Sequence, residues 1–123
     1  MVSCIGKLGK CAIAGKTVAT NQQINSVVPG SAVDSVFLYF AVRELGSQFQ
    51  AAASTTIVPI VNKTAFSRFF IPLPPPPEQR HIAAILGEQM AAVERARAAL
   101  EEESAAIEKL PAALLRRAFA GEL

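Results

Sequence analysis

Ile71-Pro72-Leu73-Pro74-Pro75-Pro76-Pro77-Glu78-Gln79 is a proline brace that opens into a helical stretch, and it decides the architecture. Proline holds φ at about −65° and donates no backbone hydrogen bond. Five of the chain's eight prolines gathered here therefore predict an extended polyproline II segment that sets an angle between two unlike parts. Pro77 suits the first position of a helix, and Glu78 suits the positive end of its dipole. Gln79 cannot complete a reciprocal capping box, because Pro76 has no backbone N–H to receive it.

Downstream of the brace, Leu86, Val93, Leu100, Ile107 and Leu114 recur every seventh residue, with Ala92, Ala99, Ala106 and Ala113 in register beside them. This is a coiled-coil seam with a small-residue flank. Ile82 and Met90 join the five as candidate contacts to a partner helix, but Met90, Arg97, Ser104 and Pro111 stand where a strict dimeric zipper would place leucine, so an autonomous long zipper is not expected. The pattern fits a large side chain of one helix packed over an alanine of its neighbour. A helix from 77 to 110 would span about 50 Å, too long to fold back on the preceding residues unaided, so part of the seam needs another helix. Pro111 would remove the hydrogen bond to the Ile107 carbonyl at about 3 kcal/mol, so a break is expected near 109 to 111, with Pro111 opening a short terminal helix.

Charge divides the chain at the same place. Residues 1 to 77 carry four Lys and two Arg against Asp34 and Glu44, a net +4, while residues 78 to 123 carry one Lys and five Arg against eight Glu, a net −2. A basic head suits a polyanion such as nucleic acid; a helix of mixed sign suits water and a protein partner. Cys4 and Cys11 are the only cysteines and read as reduced thiols in small positions, since no second Cys or His cluster completes a metal site. With neither a signal peptide nor a transmembrane run in the sequence, a cytoplasmic protein is expected. His81 is the sole histidine, in the first helical turn, and reads as a surface or interface residue.

Within the head, Met1 to Ile5 reads as a strand, Gly6-Lys7-Leu8-Gly9-Lys10 as a turn whose glycines tolerate positive φ, and Cys11 to Ile13 as a return strand. Two readings stand for Lys7 and Lys10: phosphate contacts on a backbone that can approach closely, or a solvated turn. Two also stand for Asn21, Gln22 and Gln23 ahead of the strand Ile24 to Val28. Each amide offers a donor and an acceptor together, as reading an adenine edge requires, and amides also cap ordinary turns. Ser31 and Asp34 resemble a capping box for a helix over 32 to 51 that is mostly buried. Ser54-Thr55-Thr56 forms a hydroxyl-rich loop, Ile57 to Val61 an edge strand or extended connection around Pro59, Asn62-Lys63-Thr64 a turn, and Arg68 to Ile71 a strand with both faces covered. The fold class is α+β, a small head over residues 1–75 followed by a long helix over 76–123.

Together these segments resemble the DNA-specificity subunit of type I restriction-modification systems. The resemblance rests on Thr20-Asn21-Gln22 before a strand, on Ser54-Thr55 followed by Pro59-Ile60-Val61-Asn62-Lys63, and on the brace with Glu78-Gln79. It rests also on the ending Leu114-Leu115-Arg116-Arg117-Ala118-Phe119-Ala120-Gly121-Glu122-Leu123. It covers nearly the whole chain, and the order and spacing of the pieces carry it.

The resemblance implies target-recognition domains that each read half of a split DNA site, with long helices packed antiparallel as a spacer. It implies a non-catalytic platform for a methyltransferase subunit and a restriction-translocation subunit. S-adenosylmethionine, magnesium and ATP would belong to those partners, with no cofactor held by this chain. Residues 1–75 look like the C-terminal half of one recognition domain, and 76–123 like a spacer and dimerisation helix. Lys7, Lys10 and Lys63 would position phosphates, and Asn21, Gln22, Gln23, Ser54, Thr55 and Thr56 would face base edges. The helix would pair with an identical chain or with another specificity subunit. The competing class is an interaction protein that pairs through its helix and does not bind DNA. An enzyme is disfavoured, since the head offers neither paired carboxylates nor a nucleophile beside a base.

Overall fold

The computed structural model describes residues 1–53 and 58–122. It is α+β, with β1 (Val2–Ser3), β2 (Ile24–Asn25), α1 (Ser35–Glu44), α2 (Gly46–Ala52), α3 (Lys63–Phe66) and α4 (Pro76–Phe119) in chain order. Two compact units divide it, Met1–Leu86 and Gly87–Leu123. The first therefore takes in the opening turns of α4.

The strand elements are shorter than the apolar runs suggest. β1 and β2 pair antiparallel with Val2 opposite Asn25 and Ser3 opposite Ile24, and single bridges join Val2 to Cys11 and Ile5 to Ile60. Residues 1–6 thus collect hydrogen bonds from three segments: the Ser3 N–H donates to Lys10 O (2.8 Å), the Cys4 N–H to Gln23 O (2.9 Å) and the Gly6 N–H to Pro59 O (3.0 Å). The core forms beneath this ribbon from Val2, Cys4, Leu8, Val42, Leu45, Phe49 and Val61. Phe49 is its centre, stacked on Phe66 at 5.8 Å between ring centroids and edge-on to Phe69 at 4.7 Å.

Several expectations need correction. The helix expected over 32 to 51 is two helices, because its cap is Asp34 rather than Ser31 and the chain turns at Leu45. The Asp34 carboxylate accepts from the N–H groups of Val36 and Phe37, both at 2.9 Å. Gly46 then restarts the helix as α2. A Cβ built on Gly9 would lie 3.6 Å from the Cα of Gly46 and 3.1 Å from a ring carbon of Phe49, so glycine at position 9 lets the turn settle onto the helix break. Asn62-Lys63-Thr64 opens the short helix α3, with Asn62 Oδ1 accepting from the Ala65 N–H at 2.9 Å. Arg68 to Ile71 is not a strand: Phe69 packs on the core while Phe70 is 89% exposed.

The break expected near Pro111 is absent; α4 runs from Pro76 to Phe119 with Pro111 inside it. Residues 107 to 112 are all exposed, so water can hydrate the Ile107 carbonyl that Pro111 leaves without its helical donor. The helix stops instead at Gly121, where φ is 74°. The Glu122 N–H donates to Arg117 O and the Gly121 N–H to Ala118 O, a Schellman closure that satisfies two terminal carbonyls.

Candidate nucleic-acid interface

The turn Gly6-Lys7-Leu8-Gly9-Lys10 brings two lysines to the head surface. Gly6 and Gly9 adopt φ of 72° and 76°, the left-handed region that only glycine enters cheaply. Leu8 points into the core while Lys7 and Lys10 on either side are exposed. The Gly9 N–H donates back to Ser3 O at 3.0 Å, which closes the turn under the two lysines. The turn therefore presents both lysine side chains to solvent.

Asn21, Gln22 and Gln23 form the neighbouring turn. Asn21 Oδ1 accepts from the Gln23 N–H at 3.1 Å, and Asn21 O accepts from the Ile24 N–H at 3.2 Å. The Asn21 oxygen is thus engaged in shaping the turn, and Gln22 and Gln23 are the amides left exposed on it. Lys63, exposed, is the first residue of α3.

Backbone hydrogen bonds draw these pieces to the same end of the ribbon. Cys4 binds Gln23 through its N–H and Val61 through its carbonyl, and Gly6 binds Pro59. The Lys7 turn, the Gln22–Gln23 turn and the segment leading to Lys63 therefore converge on residues 4–6, with Lys10 on the opposite edge beside Ser3. Ser54, Thr55 and Thr56 lie outside the described residues. Burial raises the Cys11 thiol pKa above its ordinary value, opposed by the charges of the N-terminal amine and Arg43, so this thiol stays protonated at neutral pH.

Two features escaped the sequence. An open groove of about 490 Å³ lies between residues 11–18, residues 26–29 and α1, lined by Ile13, Val18, Val27, Leu38 and Tyr39 with Lys16 at its side. Arg43 stands over the Tyr39 ring at 5.5 Å and donates to its hydroxyl at 3.1 Å. The other is Gln79, wholly buried, for which the local sequence offers no capping role. Its pairing with Glu78 after the prolines was the available signal, yet nothing local says what it would bind.

On the helix, Ile82, Leu86 and Met90 are half-buried by the chain itself. Val93, Leu100, Ile107 and Leu114 are 51 to 66% exposed. Leu110, Leu115 and Phe119 extend the apolar surface. The charges among them contribute little: Arg97 and Glu101 approach to 3.4 Å one turn apart with both side chains in water. No described helix is long and apolar enough to cross a membrane.

Residues 1–102 match the family described as the type I restriction modification DNA specificity domain. The chain belongs to that family. Over 81 residues, 66% of the chain, it is also 32% identical to the type I restriction enzyme MjaVIII specificity subunit of Methanocaldococcus jannaschii. That alignment spans 18% of the relative's length. No solved structure matches the chain. The family match takes in the ribbon, both turns, the brace and the first part of α4, which is the region where the candidate DNA contacts and the buried Gln79 lie.

Proposed function

We propose that this chain acts as a DNA-recognition element of a type I restriction-modification complex in the cytoplasm, reading DNA with its head and assembling through its helix. The family match over residues 1–102 is the observation that carries the reading. The convergence of the Lys7 turn, the Gln22–Gln23 turn and the Lys63 segment on one end of β1 agrees with it. Lys7, Lys10 and Lys63 neutralise phosphates; Gln22 and Gln23 face base edges. Methyl transfer, DNA translocation and cleavage belong to methyltransferase and restriction partners, and this chain contributes no catalytic group.

The exposed seam from Val93 to Leu114 serves pairing with a second helix, either from an identical chain or from another specificity subunit. Seven-residue spacing about Leu100 is symmetric, so an antiparallel pair of identical helices sets Val93 against Ile107, Leu86 against Leu114, and Leu100 against itself.

The lysines and the glutamines separate by their effect on DNA. In a complex with the methyltransferase partner, Lys7→Ala with Lys10→Ala weakens binding to every duplex and reduces the salt slope by about two, one for each phosphate no longer neutralised. Gln22→Ala or Gln23→Ala instead relaxes preference at one position by about 1 to 3 kcal/mol. Titrations over a salt series with a panel of duplexes check both. An unchanged slope in the double lysine variant contradicts the phosphate assignment.

A further inference from the structure

The Gln79 carboxamide is the one buried polar side chain among the described residues, and all of its hydrogen-bonding groups are engaged across the fold. Its Oε1 accepts from the Asp34 N–H at 2.8 Å, and its Nε2 donates to Ala32 O at 3.1 Å and to Pro74 O at 2.7 Å. The partners lie in two places, the loop that leads into α1 and the brace that leads into α4. Asp34 is also the cap of α1 through its carboxylate, so a single residue in the first turn of α4 grips the residue that starts α1.

The brace explains why a side chain does this. Pro74 to Pro77 supply no N–H, so the segment cannot be tied down by backbone donors. Apolar contacts at Ile71 and Ala83 hold it against the head, but such contacts are non-directional. Direction comes from the three hydrogen bonds of Gln79, and the side chains nearest it in shape do not fit them. Glutamate would set a carboxylate against two carbonyl oxygens, asparagine is one methylene too short, and methionine has the length without a donor.

We infer that Gln79 is a positioning residue that fixes the opening turns of α4, residues 76–86, against the loop leading into α1, and so holds the head proposed to read DNA in one arrangement with them. The consequence for DNA rests on the function proposed above; the positioning itself does not.

The test uses the full chain with Gln79→Met and, separately, Gln79→Glu. Residual dipolar couplings are measured for backbone amides of α1 and of residues 76–86, together with hydrogen exchange at the Asp34 amide. In the unaltered chain both segments fit one alignment tensor. In the variants the head keeps its dispersed spectrum, Asp34 exchange quickens about tenfold or more, and the two segments no longer share a tensor. Assembled with the methyltransferase partner, the same variants lose preference among duplexes while the complex still forms. A single shared tensor in both variants overturns the inference, as does an unfolded head in both, which would make the clamp a requirement of folding. If the tensors separate but the unaltered complex shows no DNA preference, positioning stands and the recognition reading falls.

Discussion

Leu100→Glu converts the isolated chain from an associated species to a monomer in sedimentation at micromolar concentration. Four seam residues, Val93, Leu100, Ile107 and Leu114, remain more than half exposed, a continuous apolar stripe that water solvates poorly. Burying a leucine side chain contributes about 2 kcal/mol. In an antiparallel pair the substitution acts once in each helix and sets two carboxylates against each other at the centre. The expected loss of roughly 4 kcal/mol is about a thousandfold in Kd. Glu101→Ala, on the solvated face beside Arg97, leaves association unchanged. A compact monomer that Leu100→Glu does not alter would remove the pairing role.

Phe49→Ala unfolds the head. Its ring is 1% exposed, packs on Phe66 and Phe69, and lies against the Gly9 turn that carries Lys7 and Lys10. Truncating a fully buried phenylalanine costs about 3 to 5 kcal/mol through lost transfer energy and the cavity left behind. A head of this size has only a small reserve against such a loss. Urea denaturation followed by near-ultraviolet circular dichroism measures the effect. Phe70→Ala, one position from Phe69 but exposed, shifts stability by less than about 0.5 kcal/mol. Equal losses from the two substitutions would show that the core is not organised around Phe49.

The contrast between these phenylalanines marks where sequence reasoning stops. Alternation placed Phe69 and Phe70 in a covered strand, but three segments already occupy the hydrogen-bonding edges of residues 1–6, and the chain from 68 to 71 passes without pairing. Some local chemistry was readable: the two positive-φ glycines of the lysine turn and the heptad of α4 stand where spacing put them. The α1–α2 break at Leu45 was not, and neither was the packing of the Gly9 turn on it from more than thirty residues away in sequence. At Pro111 the misreading was local. The lost bond to the Ile107 carbonyl was expected to end the helix, but α4 continues on both sides of Pro111, and the orphaned carbonyl lies among exposed residues where water can reach it. Gln79 could be seen to lack a capping-box partner, but beside the Pro74 carbonyl nearby, two of its three partners, at 32 and 34, lie more than forty positions away. The candidate site was therefore legible as separate turns. Their convergence on residues 4–6 was visible only in the fold.

The most direct measurement is selection from a pool of randomised duplexes by the chain assembled with its methyltransferase partner. The account predicts enrichment of a defined sequence, with preference relaxed at the positions read by these amides in Gln22→Ala with Gln23→Ala while the complex still forms. A complex that assembles normally yet enriches no sequence would contradict it, and would leave the chain as an assembly element acting through α4 alone.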